Sequence, residues 1–235
     1  MTSIENMTSL IVKKIKIDII NGQLKIGEKL LPLRELALKY QVSRSVVNSA
    51  VSSLSAQGYL QVTPRHFVVV NDYLSTGTID ILNDVLYSNN QSMKLRLLKD
   101  TLVFRKFVET ESLKMILASD NPDLSELEKC INKQKEWLNN PIKDIEILVE
   151  LDATFHRVLI CANGNAVFRL IQRNFEDVAS RMIRFFYRNY DAAIQNFNWY
   201  QQIYEAILIK DEKKAIETLW SVLDQGAVYV LRLIE

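Results

Sequence analysis

A short stretch near the N-terminus combines hydrogen-bonding side chains in a pattern that suits contact with a polyanion. Between Val42 and Leu54, apolar residues recur at the i, i+3, i+4 and i+7 spacing of an amphipathic helix: Val47, Ala50, Val51 and Leu54. The opposite stripe holds four hydrogen-bonding side chains and no carboxylate: Arg44, Asn48, Ser52 and Ser55. One face of the helix therefore packs, and the other can meet phosphates and base edges.

The charge pattern around this helix indicates the same kind of partner. From Leu36 to Asn71 there is no Asp or Glu, while Lys39, Arg44, Arg65 and His66 are present. A stretch with cations and without acids attracts phosphate groups, so it predicts a nucleic-acid-binding surface. The helix pattern taken alone would also suit a helical adaptor that does not bind nucleic acid.

Asp152 and His156 form a second group with chemical potential. They are four residues apart, so they share one face of a predicted helix, and they interrupt its apolar stripe. Arg105 interrupts another apolar stripe in the same way. Because a buried charge is costly unless it is paired, these groups either satisfy one another or await an anionic ligand. Two ligand-type side chains at i and i+4 also suit a metal ion, so a metal-dependent helical-bundle enzyme is the alternative function.

The elements that must position Arg44 form a helix-turn-helix. A short helix from Leu33 to Tyr40 is joined by Gln41-Val42 to the second helix, for which Ser43 is the expected N-cap. A first helix is expected from Thr8, as its N-cap, to about Ile20. After Gly58, two β-rich runs at 59–62 and 67–70 flank a turn whose tip is basic, which predicts a hairpin wing.

The rest of the chain should be helical. From Ile79 to Glu235 the sequence has two Pro, two Gly and repeated 3.6-residue apolar spacing. The predicted fold is therefore mostly α, with an N-terminal winged helix-turn-helix at 1–71, a linker at 72–78 and a C-terminal all-helical bundle at 79–235. The interior of such a bundle can form a small-molecule site.

Composition is that of a globular protein without special cross-links. The chain has 235 residues, 48% of them apolar and 24% charged, with a net charge of +1. Residues 1–73 hold nine Lys/Arg against five Asp/Glu, which is +4, and the remaining 20 against 23 give −3. Two distant cysteines, Cys130 and Cys161, indicate neither a disulfide framework nor a metal knuckle. With no signal peptide and no run of 18 apolar residues, a cytoplasmic protein without membrane contact is expected.

The sequence resembles the GntR superfamily of bacterial regulators, and within it the branch with the all-helical FCD (FadR C-terminal) domain. In the N-terminal half the resemblance is carried by residues 27–30, 34–37, 42–44 and 58–60, together with Pro32, Val47, Ala50 and Leu54. In the C-terminal half it is carried by Leu151-Asp152, Phe155-His156, Asn163-Gly164-Asn165, Ile203, Ala206-Ile207, Asp211 and Ala215. It covers almost the whole chain.

The resemblance implies a double-stranded DNA operator as one partner. The residues implied to contact it are Arg34, Arg44, Ser45, Asn48, Arg65 and His66. The family usually has an arginine at the position of Asn48. Since Asn pairs with adenine whereas Arg prefers guanine, this departure implies a different or weaker operator. Pro32 also removes the side-chain cap that the family often has before the first of the two helices.

The resemblance also implies a homodimer that binds a small-molecule effector, either a carboxylate or an acyl-coenzyme-A-like thioester. The implied effector residues are Arg105, Asp152, His156 and Tyr200. Many FCD domains hold a metal with one Asp and three His, and the positions of those ligands here are Asp152, His156, Tyr200 and Val222. Because only two of these four are metal-ligand types, no metal and no other cofactor is expected.

Overall fold

The structure is a computed structural model that describes residues 3–63, 67–140, 144–187 and 191–232 and divides into two compact units, residues 1–94 and 95–235. The first unit contains helices α1 (Ser3–Ile20), α2 (Leu33–Tyr40) and α3 (Arg44–Ala56), strands β1 (Leu60–Thr63) and β2 (Phe67–Val70), and helices α4 (Tyr73–Thr76) and α5 (Asp80–Tyr87). The expected winged helix-turn-helix is confirmed. One detail was wrong: α1 begins before Thr8, which lies inside the helix.

A tight turn joins α2 to α3. Gln41 adopts a left-handed conformation with φ of 54°, and the Val42 N–H donates to the carbonyl of Ala37 over 3.0 Å. The Ser43 hydroxyl then accepts a hydrogen bond from the Val46 N–H at 3.4 Å, so the expected N-cap is confirmed. The start of α3 is therefore fixed by its own sequence.

Strands β1 and β2 form the antiparallel wing. Leu60 pairs with Val70 and Thr63 with Phe67, which is the register of two antiparallel strands. Lys29 forms an isolated bridge with Val69, which extends the pairing by one residue on the outer side of β2. The segment before α2 is thus held against the wing.

Helices α4 and α5 are tied to the winged helix-turn-helix. The Thr76 hydroxyl donates to the carbonyl of Gly58 at 2.8 Å, and Asp84 on α5 accepts from Lys16 at 2.7 Å and from the Tyr59 hydroxyl at 2.9 Å. Gly58 has φ of +80°, and a Cβ there would lie 2.2 Å from the Thr76 carbonyl oxygen, so only glycine fits. Residues that we expected to open the C-terminal domain are therefore packed within the first unit.

The second unit is built from helices around one apolar core. Its helices are α6 (Gln91–Ala118, from Leu95 onward), α7 (Ser125–Asn139), α8 (Ile145–Cys161), α9 (Ala166–Phe186), α10 (Asp191–Leu208) and α11 (Glu212–Arg232). Fully buried side chains in this core include Leu113, Leu148, Phe155, Ile203 and Leu219. The mostly α fold class is confirmed. Over the described residues, none of the helices has the length and apolarity needed to cross a membrane.

Candidate functional site

The outward side of α3 carries the side chains that the sequence assigned to DNA. Arg44, Ser45 and Asn48 are exposed. The same helix buries five residues in the core of the first unit: Val46, Val47, Ala50, Val51 and Leu54. In a helix-turn-helix, the exposed face of the second helix is the one that enters the major groove. All three side chains are therefore accessible to a duplex.

The other assigned DNA contacts lie on α2 and on the wing. Arg34 is exposed in the first turn of α2, and Pro32 before it makes no side-chain cap, as expected. Arg65 and His66 lie outside the described residues. Lys29, which we did not single out, is exposed beside the wing with its ammonium 4.3 Å from the centre of the Phe67 ring. It adds a cation to the same region of the domain.

Inside the second unit, helices α6 and α8 bring opposite charges together. The Arg105 Nε donates to Glu109 Oε1 at 2.6 Å, and Glu109 Oε2 lies 2.6 Å from His156 Nδ1. Glu109 is almost wholly buried and His156 is 4% exposed, whereas the side chain of Arg105 retains 21% exposure. Glu109 thus links two cationic side chains from two helices.

The other side of His156 meets hydroxyl groups around Asp152. The His156 Nε2 lies 3.0 Å from the Tyr200 hydroxyl, which donates to Asp152 Oδ2 at 2.7 Å. The Tyr187 hydroxyl donates to the same oxygen, and Asn196 donates to Tyr187 at 3.0 Å. These residues form one buried polar network: Arg105, Glu109, Asp152, His156, Tyr187, Asn196 and Tyr200.

Both ring nitrogens of His156 have a polar partner. Nδ1 lies against the Glu109 carboxylate, and Nε2 lies against the Tyr200 hydroxyl. The one proton of that hydroxyl is donated to Asp152 Oδ2, so Tyr200 bridges Asp152 and His156.

The pKa shifts agree with this assignment. Burial raises the pKa of Glu109, but the nearby charges of His156 and Arg105 outweigh burial, and the net pKa lies below its ordinary value. Burial and the charge of Asp152 raise the pKa of the Tyr187 and Tyr200 hydroxyls well above the usual range. Both phenols therefore remain protonated donors.

Two small cavities flank Arg105 and His156 within the described part of the second unit. One, of about 30 Å³, is bounded on its polar side by Arg105, Asp152, His156, Asn196 and Tyr200, with Val222 also in its wall. The other, of about 40 Å³, is mainly apolar and includes Phe104, Val108, Ile160, Phe175 and Met182. Arg105 borders both, and among the described residues its guanidinium makes a hydrogen bond only through Nε. Its outer nitrogens can therefore receive an anion.

Comparison with known families decides which class of protein carries this site. Residues 8–70 match the family of bacterial regulatory proteins of the gntR type, and residues 100–225 match the FCD domain. The chain belongs to the GntR family. It is a DNA-binding transcriptional regulator of the GntR/FCD type.

Relatives of this GntR protein are themselves regulators. The transcriptional regulator LutR of Bacillus subtilis is 27% identical over 164 residues, covering 70% of this chain and 71% of LutR. A fatty acid metabolism regulator protein of Shewanella denitrificans is 24% identical over 178 residues, covering 76% and 71%. The solved structure of Lar, which controls expression of the Listeria monocytogenes agr system, matches with a TM-score of 0.62 at 21% identity over 99% and 98% of the two chains. That last likeness shows the fold.

The metal found in many FCD domains does not fit the residues of this GntR protein. The four positions converge, since Asp152, His156, Tyr200 and Val222 all line the same cavity. Val222 offers no ligand atom, the Tyr200 phenol is protonated, and His156 Nε2 is already engaged by the Tyr200 hydroxyl at 3.0 Å. In the described ranges, no group of three or more His, Cys, Asp or Glu side chains is placed to hold a metal ion. The alternative of a metal-dependent enzyme therefore has no support in these side chains.

Sequence reasoning identified part of the buried polar network and missed part of it. Arg105, Asp152, His156 and Tyr200 were named, and they lie together. Glu109, Tyr187 and Asn196 were not. The spacing of Arg105 and Glu109, at i and i+4 on one helix, was a usable signal for Glu109. For Tyr187 and Asn196 the sequence offered none, because a buried tyrosine or asparagine has no distinctive pattern in a helical segment.

Proposed function

We propose that this GntR regulator binds its operator as a homodimer and that a small organic acid in the second unit changes its affinity for DNA. The observation that carries the effector role is Arg105, a mostly buried arginine that borders two cavities and leaves its outer nitrogens without a hydrogen bond among the described residues. A guanidinium with free N–H groups in such a place suits a carboxylate. Binding to DNA and to the acid would then be linked by a coupling free energy.

The size of the cavities favours a small acid over an acyl thioester. The two cavities measure about 30 and 40 Å³, while a site for a drug-sized ligand usually needs about 300 Å³ or more. Movement of Met182, which borders both cavities and has a flexible side chain, would join them into one chamber. The polar part would receive the carboxylate, and the part next to Phe104 and Phe175 would receive a short apolar group.

The DNA contacts that we propose lie on the winged helix-turn-helix, within residues 1–71. Arg44, Ser45 and Asn48 would contact base edges and phosphates from α3, and Arg34 would contact phosphate from α2. Arg65 and His66 would contact DNA from the wing. Asn48 would favour adenine at one operator position, since its amide can make two hydrogen bonds to that base. A regulator that acts on chromosomal DNA would work in the cytoplasm.

A homodimer is supported by an exposed apolar face on α6 and α9. Large apolar side chains stand in solvent there: Val103, Phe104, Phe107, Val167 and Leu170. Phe104 on α6 stacks on Phe175 of α9 with ring centres 5.1 Å apart, which joins the two parts of the face. Contiguous exposed apolar surface usually marks an interface. One helix-turn-helix covers a single half-site, so a second copy of this chain is the occupant that we propose.

The effector role is tested by substituting Arg105 and measuring release of DNA. Operator duplexes are first selected from random DNA with the wild-type protein, and a panel of monocarboxylates of two to six carbons is then titrated against the complex. Arg105→Ala should keep operator affinity within about threefold of wild type while losing the response to the acid that releases the wild-type protein. Loss of a charge-assisted hydrogen bond of about 1.5–3 kcal/mol predicts a response weakened by roughly 10- to 100-fold or more.

Arg96→Ala is the matched control for this experiment. Arg96 is an exposed arginine on the same helix, with a long ion pair of 4.0 Å to Asp100. It should respond to the acid like the wild type. An unchanged response in Arg105→Ala, or an equal loss in both variants, would refute the role of Arg105.

A further inference from the structure

The hydroxyl of Tyr200 lies between the two metal-ligand side chains of the buried polar network. It is 2.7 Å from Asp152 Oδ2 and 3.0 Å from His156 Nε2, and that nitrogen is 3.6 Å from Asp152 Oδ1. A zinc ion shared by these side chains would sit about 2.0–2.2 Å from each and would need the lone pair of Nε2. The phenol uses both ligand atoms for hydrogen bonds instead.

The neighbouring groups make this arrangement complete without an ion. Asp152 Oδ2 also accepts from the Tyr187 hydroxyl, and Asn196 lies 3.5 Å from it. On the far side of the ring, His156 Nδ1 lies 2.6 Å from Glu109 Oε2, so that nitrogen is engaged as well. Val222 presents only methyl groups to the same cavity. A divalent cation would therefore have to displace the Tyr200 hydroxyl from both Asp152 Oδ2 and His156 Nε2.

We propose that the Tyr200 hydroxyl replaces a metal ion in this regulator, so that Arg105 and the hydrogen-bond network hold the effector without a divalent cation. Tyr200 and Val222 occupy the two positions at which the metal ligands of other FCD domains are missing from this chain. The consequence for the effector rests on the function proposed above, but the metal chemistry can be measured without effector or DNA. Histidine at both positions would supply the two missing ligands beside Asp152 and His156.

The test uses the full-length protein with Zn²⁺ or Co²⁺ as the only probe. Wild type, Tyr200→His and the double variant Tyr200→His/Val222→His are equilibrated with zinc, freed of excess metal and analysed for bound zinc. Wild type should retain none at this site, and the double variant should retain about one ion per chain. Residues that only hydrogen-bond to metal ligands change metal affinity by about 10- to 100-fold, so two new ligands should raise it by at least about 100-fold. Co²⁺ should give the visible spectrum of a tetrahedral site in the double variant only.

Asp152→Asn added to the double variant is the control, and it should abolish both signals. The proposal is overturned if wild type keeps one zinc per chain and loses it with Asp152→Asn. It is equally overturned if the double variant folds, as judged by circular dichroism, and gains no metal. If the double variant does not fold, zinc retention by Tyr200→His tests the proposal in the same way, since three protein ligands are enough to bind zinc. If no acid in the panel releases DNA, the effector role fails while the metal result stands, so the two failures are distinguishable.

Discussion

At the scale of single residues, Glu109 determines how much stability is lost by burying Arg105 and His156 inside the second unit. Its carboxylate lies 2.6 Å from both Arg105 and His156, and all three side chains are largely removed from water. A buried cation that loses its partner retains the full cost of desolvation. Glu109 therefore stabilises the fold and also holds Arg105 in the position that we assign to effector binding.

Glu109→Gln is expected to lower the free energy of unfolding at neutral pH by roughly 3–5 kcal/mol, because Arg105 and His156 both lose their anion. The pKa of Glu109 lies below its ordinary value in the folded state. The stabilisation by the carboxylate is then complete above the unfolded-state pKa and is lost as the pH falls through the folded-state pKa. The difference between wild type and variant, measured by chemical denaturation, should shrink in acid.

Glu111→Gln provides the comparison for that measurement. Glu111 is on the same helix, paired with Lys114 at 2.7 Å, but its side chain is 37% exposed. A surface pair of this kind contributes about 0–1 kcal/mol. If Glu109→Gln loses no more free energy of unfolding than Glu111→Gln, Glu109 does not stabilise the buried polar network.

At the scale of elements, α3 separates its stabilising face from the exposed side that we propose contacts DNA. Val47, Ala50 and Leu54 are fully buried, while Arg44 and Asn48 are exposed on the opposite side. Substitutions on the exposed side should therefore alter DNA binding with little effect on folding, since surface changes are usually worth less than about 0.5 kcal/mol of stability.

Arg44→Ala should weaken binding to the selected operator by about 1–3 kcal/mol if the guanidinium makes a bidentate base contact. Lys14→Ala removes the same charge from an exposed position on α1, a helix not assigned to DNA, and should have a much smaller effect. Gel-shift titrations at several salt concentrations separate a base contact from a phosphate contact, because loss of a phosphate contact reduces the salt dependence of binding. Equal losses in both variants would show that Arg44 acts only as a general positive charge.

At the scale of the whole molecule, the exposed apolar surface predicts the oligomeric state in solution. Phe107 is 61% exposed on the apolar face of α6 and α9. Phe107→Asp should convert a wild-type dimer into a monomer in sedimentation velocity at the same protein concentration, because an interface core rejects an unpaired carboxylate. Its helical circular dichroism should be unchanged.

Ile209→Asp is the control for that experiment. Ile209 is 71% exposed at the end of α10, outside the proposed interface. This variant should remain a dimer. A wild-type protein that sediments as a monomer, or a Phe107→Asp variant that still dimerises, would remove this face as the interface.

The sequence also predicted the winged helix-turn-helix and the helical bundle, and tertiary contacts add α5 to the first unit. The helices and the wing were expected close to where they lie, because their signals are local: apolar spacing, Ser43 as a cap and turn residues. The attachment of α5 to the first unit was not expected. It depends on Asp84 meeting Lys16 and Tyr59, and these residues are 68 and 25 positions away in the chain. No local pattern encodes such a pairing.

The helices, the strands and the faces they bury follow from the sequence, since periodicity and capping depend on residues within a few positions of one another. The sequence also identified Arg105, Asp152 and His156 as charges that need partners. Their partners follow from the packing of the helices: Glu109 lies on one side of His156 and the Tyr200 hydroxyl on the other. Distances of about 3 Å between helices far apart in the chain are set by how whole apolar faces pack. For that reason the chemistry of the network became visible only when the helices were seen together.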